Sequence, residues 1–298
     1  INGQRGDISN YETCLDIVKF FKPEIVIHMA AQPLVRMSYS DPLKTYKTNV
    51  LGTANILEAI RSCESVKTII AITTDKCYEN TEKDYAYVET DSLGGYDPYS
   101  SSKACAEHVA SAYYRSFFKD KAIGLATTRA GNVIGGGDWA IDRIFPDMVR
   151  SWGKNEKLSI RYPLATRPWQ HVLEPLHGYL VLAEQLWEKP DEFSGGWNFG
   201  PDQNSVKTVE DTVDLAMQVW GDSAEWATSD NNHLHEANLL QLNSKKSNSR
   251  LGWKPRLDFD EAVNKTINWY KTYYSNNQEM MEYTLNQIAE YESRNINV

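Results

Sequence analysis

Four cysteines are few for 298 residues, and Cys14, Cys63, Cys77 and Cys105 form no CxxC pair. Neither a disulfide framework nor a metal site is expected, and a reduced intracellular compartment is the simplest reading. No run of about 18 apolar residues occurs, so no membrane-spanning helix is expected. Positive charge is not in excess either. Lys and Arg number 31 against 40 Asp and Glu, a net charge of −9. Nucleic acid and anionic membranes are poor partners for such a chain, and an anionic ligand has to be met by a few local arginines. There is no internal repeat and no low-complexity tract. What remains is an ordinary globular composition, 41% hydrophobic, long enough for one large domain or two lobes sharing a cleft.

Periodicity orders the first half. Residues 11–22 place Leu15, Val18 and Phe21 at helical spacing, and Pro23 ends the run. Residues 24–29 form a short apolar run read as a buried strand. A second amphipathic helix spans 47–63, a second strand 67–73, a polar loop 75–97, a helix 98–119 with Pro98 at its first position, and a third strand 123–129. Strands alternating with helices predict a parallel sheet with ligands at the carboxyl ends of its strands. Beyond the flexible Gly135-Gly136-Gly137 loop the pattern is irregular, with helices at 142–153, 174–188, 208–220 and 259–274 and a terminal helix after 277.

Four clusters carry chemistry. Tyr99-Ser-Ser-Ser-Lys103 is the sole Tyr-x3-Lys and puts a phenol and an ammonium on one helix face. A free phenol has a pKa of about 10, so a base working near neutrality needs help, which Lys103 and the helix start could supply. The plain alternative is a solvated helix face. Thr73-Thr74-Asp75-Lys76 ends the second strand, either as an acid and a base in one cleft or as a loop ion pair. Arg129-Ala-Gly-Asn132-Val-Ile-Gly-Gly-Gly137 allows close backbone approach to a ligand, or is a mobile connection. Arg143, Arg161 and Arg167 suit a phosphate, or are surface charges. Among the histidines, His28 reads as a core residue.

Taken in order, these motifs resemble the extended short-chain dehydrogenase/reductase family. The matches are Gly6-Asp7-Ile8, His28-Met29-Ala30-Ala31-Gln32, Asn49-Val50-Leu51-Gly52-Thr53, Tyr99-x3-Lys103 and Arg129-x2-Asn132-Val133. Thr74-Asp75-Lys76, Gly135-Gly136-Gly137-Asp138-Trp139, Arg167-Pro168-Trp169-Gln170-His171 and His235-Glu236-Ala237 are similar to the nucleotide-sugar 4,6-dehydratase branch, and within it to enzymes acting on CDP-glucose. Lys76 stands where most such dehydratases carry Glu.

The resemblance implies an α/β fold, a Rossmann-type doubly wound parallel sheet with a smaller mixed substrate-binding lobe. Residues 1–135 would bind NAD, and 136–298 mainly the nucleotide sugar, with some segments returning. The family's Gly-rich fingerprint is absent, so the first βα units are expected to precede Ile1. Thr74, Asp75, Lys76, Tyr99 and Lys103 are the implied catalytic set. Asp7, Ile8, Ala30, Ala31, Gln32 and Thr73, with Tyr99 and Lys103, are the implied NAD contacts. Asn132, Arg143, Arg161, Arg167, Asn198 and His235, with Thr74, are the implied substrate contacts. A cytoplasmic homodimer or homotetramer acting in deoxysugar and lipopolysaccharide O-antigen biosynthesis is also implied. A dehydratase for another sugar such as UDP-N-acetylglucosamine, a 4-epimerase and a non-catalytic sugar-nucleotide binder remain open.

Overall fold

The computed structural model describes residues 3–221, 224–229, 240–275 and 279–294. The first half runs α1 (Tyr11–Phe21), β1 (Ile25–His28), α2 (Val35–Ser40), α3 (Pro42–Tyr46), a π turn (Lys47–Leu51), α4 (Gly52–Arg61), β2 (Thr68–Ile72), β3 (Ala86–Tyr87), α5 (Pro98–Tyr113), β4 (Gly124–Ala130) and β5 (Asn132–Ile134). The second half adds α6 (Ile144–Trp152), β6 (Leu158–Ile160), β7 (Thr166–His171), α7 (Leu173–Glu188), α8 (Pro190–Phe193), β8 (Gly195–Phe199), β9 (Val206–Thr208), α9 (Val209–Trp220), β10 (Trp226–Thr228), β11 (Gln241–Leu242), α10 (Lys245–Leu251), α11 (Phe259–Tyr274) and α12 (Met280–Ser293).

The main sheet has the order β1-β2-β4-β8, and every pairing in it is parallel. Alternation along the strands divides its two faces. Ile69 and Leu125 pack with Leu57 and Ile60 of α4 and with Ala110 and Phe118. Their neighbours Ile70 and Ala126 face Tyr179, Leu182 and Leu186 of α7, together with Trp197 and Trp253. Helices on both faces make the sheet doubly wound, and each large side chain so buried stabilises the fold by about 1.5–3 kcal/mol.

The second half builds its own core from α6, α9 and α11, around Phe145, Met148, Trp152, Trp169, Val213, Val263 and Tyr270. It includes a mixed sheet β5-β7-β9 and a parallel pair β6-β10. The chain crosses to this lobe at β5, but α7 and β8 return to complete the first sheet.

Three local expectations change. The first strand is not buried along its length. β1 is the edge strand among the described residues, Ile25 and Ile27 are exposed, and only His28 is buried. The loop 75–97 is not uniformly polar, because Cys77, Tyr78 and Tyr87 are buried in it and the two tyrosine rings stack. The Gly135–Gly137 segment is packed rather than loose. A side chain at Gly136 would collide with the Trp269 indole, so close approach to α11 requires glycine there.

Candidate active site

Helix α5 starts where the sequence says it should. Asp97 caps it by accepting from the Ser100 backbone N–H at 3.0 Å, and Pro98 occupies the first turn. Tyr99 and Lys103 therefore lie on the first two turns, and both are buried. Asn49 holds this helix to the loop after β1, donating to Ser102 Oγ at 2.9 Å and to the Gln32 carbonyl at 3.0 Å. His28 shares a 3.1 Å hydrogen bond with Thr53 Oγ1, and burial keeps it neutral by pulling its pKa down to about 4.

Opposite α5, the chain leaves β2 and makes a tight turn, Asp75–Cys77, with Thr74 as its cap. Thr74 Oγ1 donates to Asp75 Oδ1 at 3.0 Å. The other Asp75 oxygen, Oδ2, is buried without a hydrogen-bond partner among the described residues. Burial raises the Asp75 carboxyl above the ordinary range, against the opposing charges of Lys76 and Arg167. A carboxyl whose pKa burial raises, lining a cavity, is better placed than an ordinary carboxylate to give up a proton as a general acid. Gly131 keeps that space open, since a Cβ there would lie 3.3 Å from Asp75 Oδ2 and 2.8 Å from Pro168.

Thr73, Thr74, Asp75, Lys76, Tyr99, Asn132, Arg143, Arg161 and Arg167 line one cavity of about 810 Å³. The cavity lies between the carboxyl ends of β2 and β4 and the second lobe, where parallel sheets bind ligands. Three of its arginines meet acids at the mouth. Arg143 pairs with Asp138 at 2.9 Å, and Asp142 bridges Arg36 at 2.9 Å and Arg161 at 3.1 Å. Arg167 donates to the Thr166 carbonyl at 2.8 Å.

Other expectations are corrected. Lys103 does not line the cavity; its Nζ donates to the Ile72 carbonyl at 2.9 Å. The Tyr99 phenol is not depressed but pushed up to about 12. Burial is the main cause and Asp75 adds to it, while a hydrogen bond with Thr74 and the Arg143 charge act the other way. The Gln32 side chain is occupied by Leu34 and Thr45, so it braces the loop instead of facing a ligand. Asn198 is fully buried. It accepts from the Tyr78 hydroxyl and donates to the Tyr87 and Asn243 carbonyls, which leaves no group for a substrate. Asp7, Ile8, Ala30 and Ala31, implied as NAD contacts and not as lining of this cavity, lie outside it, in the loop before α1 and just after β1. His235 lies outside the described residues.

Sequence reasoning missed Glu107, which forms a buried pair with Arg129 at 2.8 Å. The signal was available, since Tyr99, Lys103 and Glu107 are spaced by four on one helix face. It also missed Asp138 and Asp142, which lie near Arg143 in the chain, and Arg36, which meets Asp142 only through the fold.

A doubly wound parallel sheet with a phenol, a lysine and a raised carboxyl gathered at its carboxyl edge defines a dehydrogenase-type enzyme of the short-chain class. Comparison with known proteins narrows that class. The sequence model of the GDP-mannose 4,6 dehydratase family matches residues 2–266, and the chain belongs to that family. A CDP-glucose 4,6-dehydratase of Salmonella typhimurium is 48% identical over 293 residues, covering 97% of this chain and 81% of that relative. Among solved structures, UDP-glucuronic acid 4-epimerase from Bacillus cereus, in complex with UDP-glucuronic acid and NAD, has a TM-score of 0.78 at 21% identity, covering 91% of this chain and 81% of that one. The dTDP-glucose 4,6-dehydratase of Bacillus anthracis, in complex with NAD, has a TM-score of 0.72 at 24% identity, covering 90% and 79%. The two structures share the fold.

Proposed function

We propose that this chain is a hydro-lyase that converts CDP-glucose to CDP-4-keto-6-deoxyglucose with NAD as a regenerated cofactor. The observation that carries the reading is the buried, unpartnered oxygen of a raised Asp75 carboxyl in the same cavity as Tyr99 and Thr74. The 48% identity to the Salmonella enzyme supports the substrate.

The residues present fit NAD. Ala30 and Ala31 follow β1, the first exposed and the second half-buried, and neither has a side chain larger than methyl to obstruct a dinucleotide. Asp7, Ile8, Ala30, Ala31, Thr73, Tyr99 and Lys103 would hold it. Bound there, NAD would supply a reversible hydride acceptor for the oxidation at C4 and the reduction at C6.

The chain's own groups manage the protons. Tyr99 accepts the C4 hydroxyl proton as a phenolate, the form that the Thr74 hydrogen bond and the Arg143 charge favour against burial, with Thr74 hydrogen-bonding near the same oxygen. The resulting ketone acidifies C5–H. Asp75 protonates the C6 oxygen, which leaves as water, and Lys76 acts on the C5 side. The C5 proton is removed and replaced, so the net change is loss of one water. Asn132, Arg143, Arg161 and Arg167 would hold the diphosphate end, their acidic partners giving way to phosphate oxygens. In this reading residues 1–135 carry NAD and 136–298 mainly the nucleotide sugar, with α7 and β8 returning to the first unit. No helix among the described residues is long and apolar enough to cross a membrane. A cytoplasmic homodimer or homotetramer, in the deoxysugar branch of O-antigen synthesis, completes the reading.

A 4-epimerase would also use Tyr99 and Lys103, but it has no task for the acid Asp75. The test is incubation of the complete protein and NAD with CDP-, UDP-, GDP- and dTDP-glucose, reading products by mass and by keto absorbance in alkali. Preferential loss of one water from CDP-glucose is expected. Isomerisation at unchanged mass would replace this reading with epimerisation, and no turnover of any sugar nucleotide would favour a non-catalytic binder.

A further inference from the structure

Helix α5 presents Tyr99, Lys103 and Glu107 on one face, and the proposed reaction uses only the first two. Glu107 is buried, and four hydrogen bonds saturate its carboxylate. Oε1 accepts from Thr73 Oγ1 at 2.5 Å and from Arg129 Nε at 2.9 Å. Oε2 accepts from Thr127 Oγ1 at 2.6 Å and from Arg129 Nη2 at 2.8 Å. Arg129 Nη1 continues to the Tyr78 hydroxyl at 2.7 Å, and that hydroxyl donates to Asn198 of β8 at 2.8 Å. One carboxylate thus joins α5 to the ends of β2 and β4, and through Arg129 to β8.

A buried ion pair is weak evidence for stability, because apolar replacements often do as well. Placement says more. Thr73 immediately precedes Thr74 and Asp75, and its backbone N–H donates to the Thr128 carbonyl at 2.8 Å. The turn carrying the acid is therefore held from the helix carrying the base. We propose that Glu107 is a positioning residue: it fixes the Thr74–Asp75 turn against the Tyr99–Lys103 helix and supplies the negative charge that faces Lys103. This inference rests on the dehydratase reading above.

The surroundings of Lys103 explain the charge requirement. Burial pulls its ammonium down to about 8, while Glu107 on its own helix acts in the opposite direction; Cys77 after β2 is held as the neutral thiol by burial. His28 of β1 feels the Lys103 charge but is itself held neutral. Arg129 of β4 is neutralised by Glu107. Burial alone would raise the Glu107 carboxyl, but the bonds from Arg129, Thr127 and Thr73 bring it below its ordinary value. Removing this carboxylate moves the loss of the Lys103 proton to lower pH and leaves Arg129 as a second, uncompensated cation nearby.

The test is steady-state and single-turnover kinetics of Glu107→Gln, Glu107→Asp and Thr127→Val with CDP-glucose across pH, alongside wild type and circular dichroism. For Glu107→Gln, kcat should fall about 10²-fold with KM within about 3-fold, and the alkaline limb of kcat should move to lower pH. Glu107→Asp should return the limb toward wild type while kcat stays low, separating charge from geometry. If Glu107→Gln fails to fold, Thr127→Val decides, since it removes one hydrogen bond and strands no charge. Its kcat should fall about 10-fold at unchanged KM, and wild-type kcat in Thr127→Val would overturn the proposal. A Glu107→Gln profile scaled down uniformly, with its limb unmoved, would reduce Glu107 to a structural part and also overturn it. Absence of turnover by wild type would instead defeat the dehydratase reading itself.

Discussion

The carboxyl ends of β2 and β4 and the mouth of the cleft both bear charged side chains, and they treat them in opposite ways. Inside, the Glu107 and Arg129 side chains are 4% and 5% exposed, and Asp75 Oδ2 is buried without a hydrogen-bond partner among the described residues. At the mouth, the acids Asp138 and Asp142 are 34% exposed and their arginine partners 24–39%. In the dry region burial raises the Asp75 carboxyl, whereas hydrogen bonds and the Arg129 charge override burial at Glu107, so immediate partners and dryness together set each group's titration. In the wet region an ion pair contributes only about 0–1 kcal/mol, so it can be exchanged for a ligand phosphate at small cost. In the proposed reading, chemistry and anion binding would be separated by solvent access.

The sharpest way to break this contrast is at the innermost group. Tyr99→Phe removes one hydroxyl and should lower NADH formation from CDP-glucose about 10³-fold in a single turnover, with the circular dichroism spectrum unchanged. NADH appearing at the wild-type rate would take Tyr99 out of the reaction.

Asp75→Asn should slow water loss about 10²-fold while C4 oxidation continues, so enzyme-bound NADH accumulates. It also tests the dryness of the site through stability. Burial raises the Asp75 carboxyl in the folded chain, so the folded state holds that proton more tightly than the unfolded state does. Below the unfolded-state pKa both states are protonated and the substitution is neutral. Above it the unfolded chain gains by ionising, and the wild-type fold loses relative stability until the pH passes the folded value. The Tm of Asp75→Asn should therefore exceed that of wild type at pH 7 and match it near pH 3, and a lower Tm at pH 7 would mean that the carboxyl is well solvated.

Lys76, half-buried between the two regions, should show an intermediate effect. Lys76→Met should retain C4 oxidation and lose solvent-deuterium exchange at C5 of a bound 4-keto-6-deoxy product. Exchange at the wild-type rate would assign the C5 proton elsewhere and leave Lys76 an electrostatic part. The smallest effect belongs to the mouth. Arg143→Ala should raise KM for CDP-glucose about 10-fold with kcat nearly unchanged, and the effect should shrink as salt is added. A fall in kcat without a change in KM would place Arg143 with the inner group instead.

Much of this was legible along the chain. The apolar run of the second strand (67–73), the cap Asp97 with Pro98, and the four-residue spacing of Tyr99 and Lys103 are local features, and local sterics and hydrogen bonding set them. The exposure of Ile25 and Ile27 among the described residues was not legible, because an apolar tetrapeptide reads the same wherever it lies in a sheet. The roles of Gln32 and Asn198 were misread for a related reason. An amide can serve a ligand or a loop, and only its neighbours decide between them.

By itself, the sequence determined the alternation of strands and helices, the presence of Tyr99, Asp75 and Lys103 at strand and helix ends, and the acidic background against which the arginines stand out. These depend on side-chain chemistry and short-range spacing. Only the tertiary structure decided that the Tyr99 phenol is raised rather than lowered, that Lys103 turns to the Ile72 carbonyl, and that Glu107 joins strands from three parts of the chain. The physical reason is that a pKa and a buried hydrogen bond are set by what surrounds a group in space, and those surroundings come from segments up to about a hundred residues apart, whose meeting no local pattern records.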